Sequence, residues 1–364
     1  MDTNTKKILS SYETARSDRS RKTEQFLSGE RPYLIFQFPD AKIWEDIRTP
    51  EQCFNENLSH VRNSLLVPSD HLPVLEPWFG TGVYANMYGC DYVWRDGEAP
   101  AVYYKYHKLE EVKNIKKPRW QDSEIAALVL DTIRYFKSQT GEAIPIVWTD
   151  TQSASDTATL ILDACEVLAS CLTNPETVMQ FMQSINQLII EFSQVQTELI
   201  VKASIFPGHI FLSHALMNGL SVSDDNISVV SPRVNRQFNL PLDNAIGQAM
   251  GGVAIHSCGK WTQTMKLIKE CAPTCLAIDC AVDKDVDPDP NDPEQVREAM
   301  QGSGIWLHVR MTGQTERVLA TVKKLLHPDL KLVIHPSFID LPTAERNYAE
   351  LDSLIGEFYN KEKR

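Results

Sequence analysis

Eight short apolar runs recur along the chain, and this repetition limits the fold more than any other feature of the sequence. They lie at residues 33–38, 64–70, 144–150, 220–225, 252–258, 275–280, 305–310 and 331–337. Such runs are typical of strands covered on both faces in a parallel sheet. Helical patterns lie between them, as at 176–200, where apolar residues recur at steps of three and four. Eight alternating units predict an α/β fold, a (β/α)₈ TIM barrel, with an open doubly wound sheet as the alternative.

The 364 residues leave room for additions to such a barrel. Residues 1–30 are polar and rich in both charges, which predicts an N-terminal helical extension before a barrel over 31–364. The stretch 71–143 is too long for one crossover helix and predicts an insertion after the second strand. No glycine-rich GxGxxG motif follows an early strand, which favours the barrel over a dinucleotide-binding sheet.

The net charge of −12 argues against nucleic acid or an anionic membrane as the main partner. We therefore expect a small-molecule substrate or a protein partner. No apolar stretch approaches the ~18 residues of a membrane span, and the N-terminus lacks a secretory signal, so we expect a cytoplasmic protein. In that reducing compartment the eight cysteines are expected to be buried, reactive or metal-binding. The sequence does not indicate the oligomeric state.

Ionisable or sulfur-bearing residues close the predicted strands. In a (β/α)₈ barrel the active site lies at the carboxyl ends of the strands, so these residues predict its position. Each one taken alone is equally explained as a strand-end cap or a solvated turn. The residues are Asp70, Trp148 with Asp150, Asp224 with Asp225, His256 with Cys258, Asp279 with Cys280, His308 with Arg310, and His335.

The sharpest local motif is His256-Ser-Cys258-Gly, at the end of a predicted strand. An imidazole and a thiolate two residues apart suit Zn²⁺. Zinc held in this way would activate an exogenous thiol by lowering its pKa. A hydrogen-bonded histidine beside a buried cysteine explains the motif without a metal.

Other residues have open roles. Asp279 is a candidate base or an acceptor that orients His256. The adjacent carboxyls of Asp224 and Asp225 suit acid chemistry, because like charges raise a carboxyl pKa, although a turn explains them equally well. Four residues form the set of candidate cofactor contacts, with core packing as the alternative for the aromatic ones: Trp78, Tyr84, Trp148 and Asp224.

Four segments together resemble the uroporphyrinogen decarboxylase superfamily: VPSDHLPVLEPWFG (67–80), LSVSDDNISVVSPRVNRQFNLPLDNAI (220–246), GVAIHSCGKW (252–261) and CLAIDC (275–280). That superfamily joins porphyrinogen decarboxylases with corrinoid-linked methyltransferases that act on thiols such as coenzyme M, all on a (β/α)₈ barrel. The likeness spans residues 30–360 and is most specific over 218–282.

Two segments place the chain nearer to the methyltransferase branch. In decarboxylases, arginines at the first strand meet the acid groups of a tetrapyrrole, whereas RPYLIFQFPDAK (31–42) lacks those arginines. Methyltransferases bind zinc through an HxC pair, so the resemblance implies His256 and Cys258 as ligands. Their third ligand is a cysteine near the last strand, where VIHPSFID places Phe338. Three residues are candidates to replace that cysteine, and a site that has lost its metal is left open: Cys280, His308 and His335.

The resemblance implies a methyltransferase in which zinc stabilises a substrate thiolate that attacks a methyl group on a corrinoid. The corrinoid would be carried by a separate protein that docks over the aromatic segment 74–94, with Trp78 and Tyr84 covering the mouth of the barrel.

Two alternatives remain. In a cofactor-free decarboxylase, Asp70 would stabilise a protonated ring while His308 and Arg310 bind carboxylates. A non-catalytic, small-molecule-binding descendant is the other, because a fold does not fix a function.

Overall fold

Most of the apolar runs form strands of one parallel sheet. The structure, a computed structural model, describes residues 3–37, 47–200, 211–337 and 340–362. Its strands are β1 (Tyr33–Ile35), β2 (Tyr92–Val93), β3 (Ala101–Val102), β4 (Leu220–Ser223), β5 (Val253–His256), β6 (Cys275–Ala281), β7 (Trp306–Thr312) and β8 (Lys331–Ser337). Six of them pair in the order β1-β8-β7-β6-β5-β4, and β2 and β3 form a separate antiparallel hairpin.

Two extended segments connect the edge strands β1 and β4. The amide of Asp70 donates to the carbonyl of Ile35 in β1 over 2.7 Å. Further along, parallel bridges join Leu75 to Ile146, and Gln152 to Ser223 in β4. The second and third positions of the predicted barrel are therefore occupied by irregular extended chain. The predicted strand 64–70 is wrong, because a helix continues to Ser64 and a turn follows it.

The helices of the described ranges are α1 (Thr3–Ser28), α2 (Pro50–Ser64), α3 (Val83–Met87), α4 (Leu109–Val112), α5 (Glu124–Thr140), α6 (Ala154–Ile161), α7 (Ala164–Thr173), α8 (Pro175–Ile200), α9 (Asn226–Val229), α10 (Pro232–Gln237), α11 (Asn239–Met250), α12 (Thr262–Met265), α13 (Ile268–Cys271), α14 (Pro293–Met300), α15 (Thr315–Leu325) and α16 (Leu341–Glu362). The apolar pattern of 176–200 lies in α8, as predicted. Asp292 caps α14 by accepting from the amide of Gln295. Among the described residues, no helix combines the length and hydrophobicity that crossing a membrane requires.

The two faces of the strands have different partners. Residues alternate between faces along a strand. One face, with Ile255, Ile278 and Leu307, belongs to the main apolar cluster, which also includes helix residues. The opposite face carries Ala254 and Ala277, packed with Phe211, near the strand starts, and it becomes polar toward the carboxyl ends. The functional candidates therefore gather at one end of the sheet.

The first helix, α1, packs against the end of the sheet opposite to the functional candidates. Phe26 of α1 packs with Leu34 of β1 and Val333 of β8, and its ring meets that of Trp306 edge-on at 5.5 Å. Arg19 of α1 is buried and donates to three backbone carbonyls at and beyond the end of α2. The predicted N-terminal helix is thus packed against the sheet.

Candidate functional site

Three neighbouring strands place ionisable side chains side by side. His256 ends β5, Asp279 lies opposite it in β6, and His308 lies opposite Asp279 in β7. Because the strands are parallel and in register, the three side chains share one face of the sheet. Arg310, two residues after His308, lies on the same face.

Asp279 connects these residues. Its side chain is fully buried and accepts from Nδ1 of His256 at 2.7 Å, Nδ1 of His308 at 3.0 Å and Nε of Arg310 at 2.8 Å. Burial alone would raise the pKa of Asp279, but Arg310 and the two histidines hold it well below its ordinary value. A buried carboxylate is thus ionised at neutral pH beneath the site.

This carboxylate also fixes the orientation of both imidazoles. An ionised carboxylate only accepts hydrogen bonds, so the Nδ1 atoms of His256 and His308 must carry the protons. Their Nε2 atoms therefore point away from Asp279. Orientation of this kind is what a metal-binding histidine requires of its neighbour. Asp279 takes the position expected of the acceptor that orients His256.

Around Nε2 of His256 the structure brings together three different donors. It lies 3.6 Å from Sγ of Cys258 and 3.9 Å from Oδ1 of Asp225. In the described part of the chain, Asp225, His256 and Cys258 form the group of metal-ligating residue types whose donor atoms all lie within 4.8 Å of one another. Nitrogen, sulfur and carboxylate oxygen are the atoms that zinc binds in proteins.

The electrostatics of His256 are set by its burial and by its two hydrogen-bond partners, Asp279 and Cys258. Burial alone would lower its pKa, but hydrogen bonds to Asp279 and Cys258 raise the pKa to about 10. A proton on Nε2 is what a metal ion would replace, since metal binding releases protons from its ligands. The same Cys–His–Asp arrangement also resembles that of a nucleophilic cysteine with its base. Asp225 faces Nε2 of His256 and also accepts from the backbone amide of Cys258 at 2.6 Å, so it holds the turn as well as offering a ligand atom.

Two further buried polar atoms lie on the residues that contact Asp279. Nη2 of Arg310 and Nε2 of His308 are buried, and neither has a hydrogen-bond partner in the described ranges. His308 lies between the rings of Phe36 at 5.2 Å and His335 at 5.8 Å. Burial lowers the pKa of His335 to about 3, which keeps that imidazole neutral.

The structure does not bring the predicted alternative metal ligands to His256. Cys280 follows Asp279 in β6, so its side chain takes the opposite face and lies in the main apolar cluster. Burial raises the pKa of Cys280 above its ordinary value. His335 contacts Phe36 and His308 instead of Cys258. Phe338, at the position of the family's third ligand, lies outside the described residues.

The predicted cofactor contacts lie mostly in the protein interior. Tyr84 is fully buried, with its hydroxyl 3.4 Å from Oγ of Ser193. Trp148 is also buried, and its Nε1 donates to the carbonyl of Ser193 and to Thr197. Packing against α8 accounts for both side chains, so neither covers a barrel mouth. Trp78 is half-buried, and its Nε1 lies 3.4 Å from Oδ2 of Asp150.

Asp224 and Asp70 face away from the group around His256. Asp224 lies beside Asn239 and Asp243 of α11, and burial raises the pKa of Asp224 well above its ordinary value. Asp70 accepts from the amide of Ile35 and from the hydroxyl of Tyr348. Two cations also surround it, Lys22 at 3.2 Å and Arg31 at 3.5 Å. Through these contacts Asp70 connects β1 to α1 and α16.

Asp225 is the functional candidate that the sequence did not assign to the metal. In the sequence it stands only as half of an acidic pair with Asp224. The signal is the alternation of side chains along β4, and it needs the register of that strand: Asp225 has the same parity as Ser221 and Ser223, and Ser223 lies opposite His256. Asp224 has the opposite parity.

The class of protein defined by this geometry is an α/β barrel with its polar site at the carboxyl ends of the strands. Comparison with known proteins agrees. The family model described as uroporphyrinogen decarboxylase (URO-D) matches residues 78–207. A solved methyltransferase from Methanosarcina mazei superposes with a TM-score of 0.58 at 17% identity, covering 85% of this chain and 86% of that chain. No match was found among curated protein sequences.

These findings confirm two expectations. The resemblance to the uroporphyrinogen decarboxylase superfamily is confirmed by a family match in the insertion and the region after it, outside the segment 218–282 where the sequence likeness is most specific. The (β/α)₈ architecture is confirmed by the superposition. At this level of identity the superposition shows the fold, and the particular reaction is a matter for proposal.

Proposed function

We propose that the protein is a zinc-dependent methyltransferase that moves a methyl group from a corrinoid to a small thiol. The observation that carries the proposal is the convergence of Asp225, His256 and Cys258 at the carboxyl ends of β4 and β5. These residues would hold the ion. A zinc ion bound there would supply Lewis acidity, which lowers the pKa of a thiol substrate.

The chain's own residues have distinct tasks in this proposal. Asp279 keeps the proton of His256 on Nδ1, so that Nε2 stays directed at Cys258 and Asp225. Arg310 balances the charge of Asp279. The buried Nη2 of Arg310 and Nε2 of His308 are proposed to bind polar groups of the substrate.

The methyl donor is proposed to be carried by a separate protein. Its docking surface is not assigned to the aromatic segment 74–94, because Phe79, Tyr84 and Tyr88 are buried there. Decarboxylation has less support, since Asp70 already has its partners among Lys22, Arg31 and Tyr348.

Metal analysis of the purified protein is the first test. We expect one zinc per chain after expression in zinc-replete medium without chelator. Less than roughly a tenth of a zinc per chain would contradict the proposal, because a structural or catalytic zinc site of this type binds tightly at neutral pH.

The reaction itself is tested with free methylcobalamin and a panel of small thiols, following the cobalamin spectrum. We expect thiol-dependent demethylation by the wild type and its loss in Cys258→Ala. Cys165→Ala is the control, because Cys165 is also exposed and has no place in the site. Demethylation that persists undiminished in Cys258→Ala would refute the assignment.

A further inference from the structure

We infer that the loop between β6 and α14, residues 282–292, positions Cys258 through Asp287 and Asn291. The inference rests on the proposed function, because it concerns the thiol proposed as a metal ligand. The loop reads VDKDVDPDPND and combines acidic residues with two prolines. Prolines restrict the backbone and favour one loop conformation.

The loop is itself fixed by contacts within it and with α15. Arg317 of α15 pairs with Asp283 and Asp285, each at 2.5 Å. Oδ1 of Asp287 accepts from the amide of Asp289 at 2.9 Å. Asp287 and Asn291 are buried. The carboxylates of this acidic segment therefore hold the loop in place and orient Asp287 toward the neighbouring turn.

Asn291 binds the turn that follows β5 at several points. Its Oδ1 accepts from the amide of Trp261 and from the hydroxyl of Thr262, both at 2.9 Å. Its Nδ2 donates to the carbonyls of Gly259 at 2.9 Å and Ala281 at 3.2 Å. One buried amide side chain thus ties the end of β6 to the turn that carries Cys258.

Asp287 binds the backbone at the residue after Cys258. Its Oδ2 accepts from the amide of Gly259 at 2.6 Å, while the amide of Cys258 donates to Oδ1 of Asp225, also over 2.6 Å. Successive backbone amides are therefore bound by two carboxylates from different loops. Gly259 has φ +72°, and a Cβ there would lie 2.8 Å from Oγ of Ser228.

These contacts set the direction of the Cys258 side chain. The 3.6 Å separation of its Sγ from Nε2 of His256 depends on the backbone of the turn, because that backbone carries the side chain and Cys258 is exposed. Asp287 and Asn291 touch neither the thiol nor the imidazole. They are positioning residues, and outer contacts of this kind typically change metal affinity ~10–100-fold.

The test compares Asp287→Ala with Asp285→Ala. Asp285 is the matched control, because it belongs to the same loop and pairs with Arg317 but makes no contact with the turn. Zinc affinity is measured by chelator competition, and the thiolate-to-metal absorption is recorded with Co²⁺ in place of zinc. Hydrogen exchange is measured in the metal-free protein for peptides covering residues 256–262.

We expect Asp287→Ala to weaken zinc binding about tenfold and to alter the Co²⁺ spectrum, with Asp285→Ala near wild type. Asp287→Asn keeps one of the two acceptor oxygens and should lie between Asp287→Ala and the wild type. Exchange in the turn should be faster in Asp287→Ala alone. Because the exchange experiment needs no metal, it also tests the contact if a variant binds zinc poorly for other reasons.

Two results would overturn the inference. One is wild-type zinc affinity in Asp287→Ala, and the other is unchanged exchange in the turn. If the wild-type protein itself binds no zinc, the proposed function fails, whereas the exchange data still decide whether Asp287 positions Cys258.

Discussion

Replacement of Asp279 by asparagine is the perturbation that tests the site most directly. Asparagine keeps the shape and one acceptor oxygen but adds an NH₂ donor and removes the charge. Oδ1 of Asp279 accepts from both His256 and Arg310, so the asparagine oxygen is expected at that position and the NH₂ group faces Nδ1 of His308. For His256 the acceptor becomes neutral, which weakens the contact that directs Nε2 at Cys258 and Asp225.

The contacts of Asp279 give two expected magnitudes for Asp279→Asn, one for the free energy of unfolding and one for zinc affinity. Arg310 is largely buried and loses the carboxylate that its Nε contacts at 2.8 Å. Removing one partner of a buried ion pair costs about 3–5 kcal/mol, and the retained acceptor oxygen places Asp279→Asn at the lower end, about 3 kcal/mol. Loss of the charged acceptor that orients His256 should weaken zinc binding by ~10–100-fold.

The assay measures unfolding by urea and zinc affinity by chelator competition for each protein. Asp70→Asn is the matched control, because Asp70 is equally buried and also faces two cations, Lys22 and Arg31. We expect both variants to lose stability and only Asp279→Asn to lose zinc affinity. Equal zinc affinity in the two variants would refute the assignment of Asp279 as the residue that orients His256.

Three further outcomes are expected. Asp225→Ala should lower zinc affinity as strongly as Cys258→Ala does. The melting temperature of the metal-free Asp225→Ala protein should stay near that of the wild type. Retention of full zinc affinity in Asp225→Ala would exclude Asp225 as a ligand. Because burial holds the pKa of His335 at about 3 against 6.5 for an ordinary histidine, its contribution to stability is complete above pH 6.5 and is lost as the pH falls toward 3. His335→Gln should therefore flatten the decline of the unfolding free energy in that window by up to about 1.4 kcal/mol per pH unit, and parallel profiles of variant and wild type would contradict this. Arg19→Met, which removes the hydrogen bonds to carbonyls at and beyond the end of α2, should cost about 2–4 kcal/mol in urea unfolding without changing zinc affinity, and a wild-type midpoint would speak against that role.

The sequence predicts the regular part of the fold well because each strand of β4 to β8 coincides with an apolar run. The run 64–70 fails for a physical reason. Leu65 caps α2 and Leu66 is 68% exposed in the turn after it, and a short apolar run has the same composition in a helix end as in a strand. The extended chain around Leu75, which does occupy the second position, has no long apolar run.

The sequence predicts where the site lies but not every residue that belongs to it. The strand-end pattern places His256, Cys258 and Asp279 together, as the structure does. Asp225 could not be told from Asp224 without the register of β4, since a shift of one residue exchanges the two faces of a strand. The burial of Tyr84 and Trp148 depends on their packing against α8, a contact between distant parts of the chain that a local sequence pattern does not contain.

The pairing of β1 with β8 has a consequence for how the chain folds as it is synthesised. Tyr33 lies opposite Leu332, so nearly the whole chain must emerge from the ribosome before the first strand finds its partner. Contacts of such sequence separation slow folding, and an unpaired strand edge is prone to association with other chains. Phe26 faces the same delay, because its packing with Val333 also spans the chain. Among the described elements, α1 and β1 therefore spend most of synthesis without these partners, with apolar side chains open to a chaperone.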